Sequence, residues 1–273
     1  MLYKKNVEKS LKTELFKNPT SEFRGTPFWA LNSYLTKEEM CRQIDVFKEM
    51  GLGGFHLHVR TGLENEYLSE EYMELIKDTV VKAKSEEMLA WLYDEDRWPS
   101  GAAGGLVTKD EKYRSRCLFF TPFKEEKYSG INDYWVNKKE NPIACYDVIL
   151  DSDGFLSSYK KIGENDEVEG TKWYAFLELA NSSSWYNGQT YLDTLSSDAV
   201  KKFIEVTHEK YKDKVGDEFD KTIPAIFTDE PQFTRKAVLN NSFDKMNITM
   251  PWTDNVPELY KEMYGEDIFD TLP

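Results

Sequence analysis

The sequence predicts an α/β fold: a parallel sheet of strand–helix units that carries an antiparallel β insertion after its third strand. Three observations predict it. From Phe28 to Tyr93 the chain alternates short apolar runs with amphipathic helical patterns, which implies parallel strands joined by right-handed crossovers. From Tyr113 to about Trp173 that rhythm stops, and turn signals separate short strand-like runs. At Ser196 the alternation resumes and leads into Ile223-Pro224-Ala225-Ile226-Phe227-Thr228-Asp229-Glu230-Pro231, a short apolar run that meets two adjacent carboxylates and a proline. Such a run fits a strand buried on both faces.

Taken in order, residues 1–20 form a polar lead-in with a helix around Val7 to Phe16. Phe28-Trp29-Ala30-Leu31-Asn32 reads as the first strand. Thr36-Lys37-Glu38-Glu39 is a capping box, with Thr36 capping the helix and Glu39 reaching back. That helix places Met40, Ile44, Phe47 and Met50 on one face and stops at Gly51. Leu52 to Val59 is the second strand. Ser69 caps the next helix, whose first turn holds Glu70 and Glu71 at the positive end of the dipole. Tyr72, Leu75, Ile76, Thr79, Val80 and Ala83 form its buried stripe. Met88 to Tyr93 is the third strand and ends in Asp94-Glu95-Asp96.

The insertion contains Cys117 to Phe120, Ala144 to Leu150 and Trp173 to Leu179, with a turn at Asp151-Ser152-Asp153-Gly154. Ser196 then caps a helix with Val200, Phe203, Ile204, Thr207 and Tyr211 on one face. After Pro231 the pattern weakens to a short helix from Pro257 to Tyr264, stopped by Gly265. Four β/α units are half of a (β/α)8 TIM barrel, so the expected fold is a partial barrel: residues 1–110 its first part, 111–184 the β-rich insertion, 185–273 its continuation. A sheet left open in this way should leave Trp29 and Phe227 under-buried.

Composition limits the function. The 273 residues are 40% hydrophobic, enough for a packed core in one or two domains. A net charge of −14 argues against a nucleic-acid backbone or an anionic membrane as partner, both of which need clustered Lys and Arg. Sixteen Tyr and seven Trp suit stacking on sugar rings, although core filling is their commoner role. Cys41, Cys117 and Cys145 are odd in number and irregularly spaced, which fits neither a disulfide framework nor a zinc knuckle. Cys41 reads as a small buried apolar residue on a helix. Met1 to Pro19 lacks an apolar signal segment, and no run is long enough to span a bilayer; the expectation is a soluble cytoplasmic protein.

The candidate chemistry is carboxylate acid/base work, because no nucleophile elbow or Cys/His pairing stands out. Asp229 and Glu230 end the fourth strand, where barrel enzymes place catalytic groups. An acidic turn without function is the ordinary alternative. His56 and His58 are two apart on a strand and share a face. They suit substrate contact, a metal, or a structural role; a zinc site needs three or four ligands. Asp94, Glu95, Asp96 and Arg97 form either a site with shifted pKa values or an ion-paired loop. Gly101-Ala102-Ala103-Gly104-Gly105 suggests a phosphate cradle but lacks the Lys-Ser/Thr of a P-loop.

Several strings resemble one family. Phe28-Trp29-Ala30-Leu31-Asn32, Gly53-Gly54-Phe55-His56-Leu57-His58-Val59-Arg60-Thr61-Gly62-Leu63 and Trp91-Leu92-Tyr93-Asp94-Glu95-Asp96-Arg97-Trp98-Pro99-Ser100-Gly101 resemble large bacterial glycoside hydrolases related to the family 106 α-L-rhamnosidases. Leu68-Ser69-Glu70-Glu71, Asp193-Thr194-Leu195-Ser196 and Thr228-Asp229-Glu230 resemble further stretches of that group. The likeness covers roughly residues 20–110 and 185–235. It implies the N-terminal part of a TIM-barrel catalytic domain acting on glycans with carboxylates, with calcium near the site and no other cofactor. Family members are longer, so the resemblance implies a truncated chain whose partner is the missing C-terminal part of the same protein.

The resulting expectation is a glycoside hydrolase with Glu230 as general acid or acid/base and Asp229 beside it. His56, His58, Arg60, Asp94, Asp96, Trp98, Asn32 and Trp185 would line the sugar site. The alternatives are a non-catalytic carbohydrate-binding protein and a metal-dependent hydrolase using His56 and His58.

Overall fold

A computed structural model describes residues 10, 12–124, 141–234 and 236–273. The chain divides into two compact units, one of residues 1–107 and 201–231 and the other of residues 108–200 and 232–273. The predicted N-terminal helix lies partly outside the described residues; the described part is α1, Thr13–Lys17.

The first unit holds a parallel sheet. Its strands are β1 (Phe28–Leu31), β2 (Gly54–Val59), β3 (Leu89–Tyr93) and β8 (Ile226–Phe227), in the order β1-β2-β3-β8. All three pairings are parallel, so the four C-terminal ends share one edge. The crossover helices are α2 (Lys37–Glu49) and α3 (Glu70–Ser85). Alternation along the strands sends Trp29, Leu31, Phe55, Leu57, Val59, Ala90 and Leu92 into a core with Met40, Ile44, Tyr72, Ile76 and Val80. Burying one such large aliphatic or aromatic side chain stabilises by about 1.5–3 kcal/mol. Trp29 is therefore buried, contrary to expectation, and its neighbour Phe28 faces the other way with 59% exposure.

Local chemistry sets the helix limits. Thr36 Oγ1 accepts the Glu39 N–H at 3.3 Å, but the Glu39 carboxylate turns to Arg42 and Gln43, so only half of the expected capping box forms. Ser69 Oγ accepts the Tyr72 N–H at 3.2 Å, and the whole predicted stripe of α3 is buried. The helix expected from Ser196 through Tyr211 is two: α4 (Ser197–Val206) and α5 (His208–Val215). The break is Thr207, whose hydroxyl donates back to Phe203 O at 2.7 Å, a bond that competes with helix continuation.

The strand expected to be buried on both faces is shorter and less enclosed. β8 has two residues, both half-buried, and lies at the end of the strand order with β3 as its one neighbour in the sheet among the described residues. Pro224, which has no N–H to give a ladder, precedes it.

The second unit is a five-stranded antiparallel sheet. It contains β4 (Arg116–Thr121), β5 (Ala144–Leu150), β6 (Leu156–Ile162), β7 (Thr171–Leu179) and β9 (Ile248–Trp252), ordered β6-β5-β7-β4-β9. The β5–β6 turn is closed by Asp151, whose carboxylate accepts the N–H groups of Asp153 and Phe155 at 2.9 and 3.0 Å. Gly154 supplies the left-handed residue, φ 81°. Leu118, Phe120, Tyr146, Val148, Trp173 and Trp252 form the core, with Val256 of α6 (Val256–Tyr264) packed on it.

This differs from the expected boundaries. Residues 232–273 group with the insertion, since β9 pairs antiparallel with β4. The fold is thus mixed α/β, with one parallel and one antiparallel sheet, and among the described residues the parallel sheet is open, with four strands.

Candidate functional site

The sheet face opposite the helices of the first unit carries Phe28, His56, His58, Trp91, Tyr93 and Phe227. The rings pack on one another. His56 stacks on Trp91 with centroids 4.9 Å apart, and His58 stacks on Tyr93 at 4.1 Å. Phe28 meets both histidines and Phe227 edge-on at 4.8–5.3 Å. The result is an aromatic surface that ends, at the C-terminal edge of the strands, in acids.

Asp229 is the best-held of these. Tyr93 Oη donates to Asp229 Oδ2 at 3.2 Å, and His58 Nε2 stands 3.5 Å from the same oxygen. The Asp229 backbone is tied to Ser100 in both directions, N–H to Oγ at 2.9 Å and C=O from the Ser100 N–H at 2.8 Å. Burial holds His58 below the usual histidine range, with the Arg60 charge adding to the effect and Asp229 opposing it. Burial also lowers His56, with His58 next to it contributing. The Tyr93 phenol is raised well above the ordinary tyrosine value by burial and then by Asp229.

Glu230 points its Oε2 at the indole N–H of Trp98, 3.1 Å away. Its backbone has φ 42°, a left-handed conformation that costs a side-chain-bearing residue roughly 1–3 kcal/mol, and Pro231 follows it.

The loop after β3 is held from inside. Glu95 is buried, and its two oxygens accept the N–H groups of Asp96, Gly101, Ala103 and Gly104 at 2.6–2.9 Å. The glycine-rich string is a cradle of N–H groups, as its composition suggests, and Glu95 fills it. Burial pushes the Glu95 carboxyl up to about 7, with the four N–H groups pulling the other way. Asp94 is also buried, with its oxygens bonded to Ser100 and Thr228. That leaves no open face for a substrate, unlike the expectation from sequence.

The other predicted residues are more scattered. Arg60 and Asn32 are exposed at the ends of β2 and β1, on the same edge as Asp229. Asp96 pairs with Arg97 at 2.8 Å. Trp185 belongs to the second unit, on the turn Ser184–Tyr186, whereas all the groups that meet around Asp229 belong to the first. Cys41 is half-buried on α2.

Sequence reasoning missed Trp91 and Tyr93, although the alternation that pairs His56 with His58 applies equally to β3. It also missed Ser100 and Thr228, whose hydroxyls carry no signal in sequence.

Among the described residues, no group of three His, Cys, Asp or Glu is arranged to hold a metal ion. Calcium takes six to eight oxygens; Glu95 already accepts four N–H groups, and Asp94 is fully buried with a hydroxyl donor on each oxygen, so these two carboxylates do not fit that ion. No helix among the described residues is long and apolar enough to cross a membrane.

No family model matches the chain. No curated protein matches it. Among solved structures, a rhamnosidase from Novosphingobium sp. PP1Y aligns over 95% of this chain with 11% identity and a TM-score of 0.49. The chain spans 42% of that protein's length.

Proposed function

We propose that the first unit carries a carbohydrate-active carboxylate site of a glycoside hydrolase, built on part of a (β/α)8 barrel. The observation that carries this reading is the acid pair at the end of β8. Asp229 is clasped by Tyr93 and faced by His58, and Glu230 is held in a left-handed conformation against Trp98. Backbone strain of this kind persists where surrounding structure enforces it, often at functional sites.

Glycosidic cleavage needs one carboxyl to protonate the leaving oxygen and another to act as base or nucleophile. In this reading Glu230 is the proton donor. Asp229, which accepts from Tyr93, is the second carboxyl group beside it. The aromatic surface of Phe28, Trp91 and Phe227 offers faces and edges against which a sugar ring packs. The sequence resemblance adds α-L-rhamnosides as the first substrates to try.

The test is turnover of a panel of aryl glycosides, α-L-rhamnoside included, by the wild type and by Glu230→Gln and Asp229→Asn. Loss of an acid or base should reduce turnover by about 10²–10⁴-fold. Equal turnover in all three proteins refutes the assignment. Sugar binding by tryptophan fluorescence without any turnover supports the carbohydrate-binding alternative.

A further inference from the structure

Asp94 has no exposure at the end of β3, yet its bonds all lead toward the candidate site. Ser100 Oγ donates to its Oδ1 at 2.6 Å, and Thr228 Oγ1 donates to its Oδ2 at 2.6 Å. His208 Nε2 lies 3.5 Å from Oδ2. Both hydroxyl donors sit next to Asp229: Thr228 precedes it in the chain, and Ser100 bonds its backbone twice. A serine oxygen that accepts an N–H keeps one proton to give, and Asp94 takes it. The chain of bonds from Asp229 N–H to Ser100 Oγ to Asp94 therefore has a fixed direction. β8 pairs with β3 at only two registered positions, Leu92 with Ile226 and Tyr93 with Phe227, so the ladder alone does little to fix the acidic segment beyond Phe227.

We propose that Asp94 is a positioning residue that holds the Asp229 carboxylate between Tyr93 and His58 by way of Ser100 and Thr228. The inference rests on the reading above that Asp229 belongs to the working site. Asp94 is fully buried and acts through the two hydroxyls it accepts from. A buried carboxylate that accepts from two hydroxyls gives both segments one fixed orientation, which an apolar residue in its place does not.

The chain has three histidines, so imidazole nitrogen resonances are assigned by single His→Gln variants. His58 is the reporter. The groups that face it are Tyr93 of the neighbouring β3, Asp229 beyond the end of β8, His56 on its own strand and Arg60 just after that strand. Its titration is followed by NMR in Ser100→Ala, Thr228→Val and Asp94→Asn, each made with Asp229 present and with Asp229→Asn.

Asp229→Asn alone should lower the His58 midpoint by about 1 unit, the effect of removing an adjacent opposite charge. Each of the three positioning variants should lower it by part of that amount. None should move it further once Asp229 is Asn. Ser100→Ala and Thr228→Val change no charge, so a shift in them is not a direct field effect, and they decide the matter if Asp94→Asn does not fold.

The proposal is overturned if those two leave His58 unmoved. An Asp94→Asn shift of equal size in both backgrounds, or an unmoved His58 in Asp229→Asn, also overturns it. Glycoside turnover plays no part in the readout, so an inactive protein would count against the proposed function and leave this test intact.

Discussion

Alanine at position 54 should break the β2–β3 pairing. A Cβ on Gly54 would lie 2.2 Å from Leu89 O, 2.9 Å from Leu89 C and 2.9 Å from a ring carbon of Trp91. Gly54 and Leu89 are registered partners in the parallel ladder, so the obstruction is backbone and cannot rotate away. Relief requires the strands to part by about 1 Å, because nonbonded carbon–oxygen contacts sit more than 3 Å apart. The neighbouring bond from Leu89 N to Gly53 O, 2.9 Å long, would be stretched with them. Overpacking costs typically 1–3 kcal/mol and the lost ladder bond about 1 kcal/mol, so the expected destabilisation is about 2–4 kcal/mol. Gly25→Ala is the control: its Cβ would meet only Leu52 Cδ2, at an ordinary 3.6 Å, and should change stability by less than about 0.5 kcal/mol. Urea unfolding followed by far-UV circular dichroism measures both. A Gly54→Ala midpoint equal to wild type, or a Gly25→Ala protein equally damaged, would refute the reasoning.

Two further outcomes are expected. His58 has a folded-state pKa below its unfolded value, so the unfolded chain binds the extra proton first, and stability falls as pH drops below about 6.5 toward the folded pKa. His58→Gln should flatten that dependence between pH 7.5 and 5.5 in urea midpoints, and an unchanged slope would exclude His58 as its source. Glu95→Ala should expose the N–H groups of Gly101, Ala103 and Gly104 to exchange. At pH 8, above the Glu95 value of about 7, a bond to a charged acceptor is worth about 1.5–3 kcal/mol, or roughly 10–100-fold in protection at each amide; unaltered exchange would show that something else shields the cradle.

The legible parts of this chain are those whose signal is local. α3 announces itself because Ser69 caps it and six apolar or β-branched residues recur at helical spacing. The shared face of His56 and His58 comes from the two-residue period of a strand. That same period turns Trp29 inward and Phe28 outward, but a larger tryptophan gives no hint of which face helices will cover. β9 is hard to see because Pro251 interrupts its pattern; it survives as an edge strand, where a missing N–H costs little. The break at Thr207 is masked by an apolar stripe that runs on to Tyr211. Asp94 is the least legible of all. An acid at a strand end looks alike whether it meets solvent or two hydroxyls, and one of those hydroxyls lies 134 residues away.

That separation sets an order of assembly during synthesis. β3 emerges from the ribosome 134 residues before the segment that completes its pairing and its bonds to Asp94. At about 5–20 residues per second the interval is roughly 7–27 s. Throughout it, one side of β3 has no strand beside it, and Asp94 lacks the Thr228 donor. The whole of residues 108–200 is made within the same interval, so the antiparallel strands β4 to β7 can pair before the parallel sheet receives its last member. The nascent chain therefore carries an unprotected strand edge for seconds, and a chaperone that recognises extended apolar segments has its best opportunity between the synthesis of Tyr93 and that of Phe227.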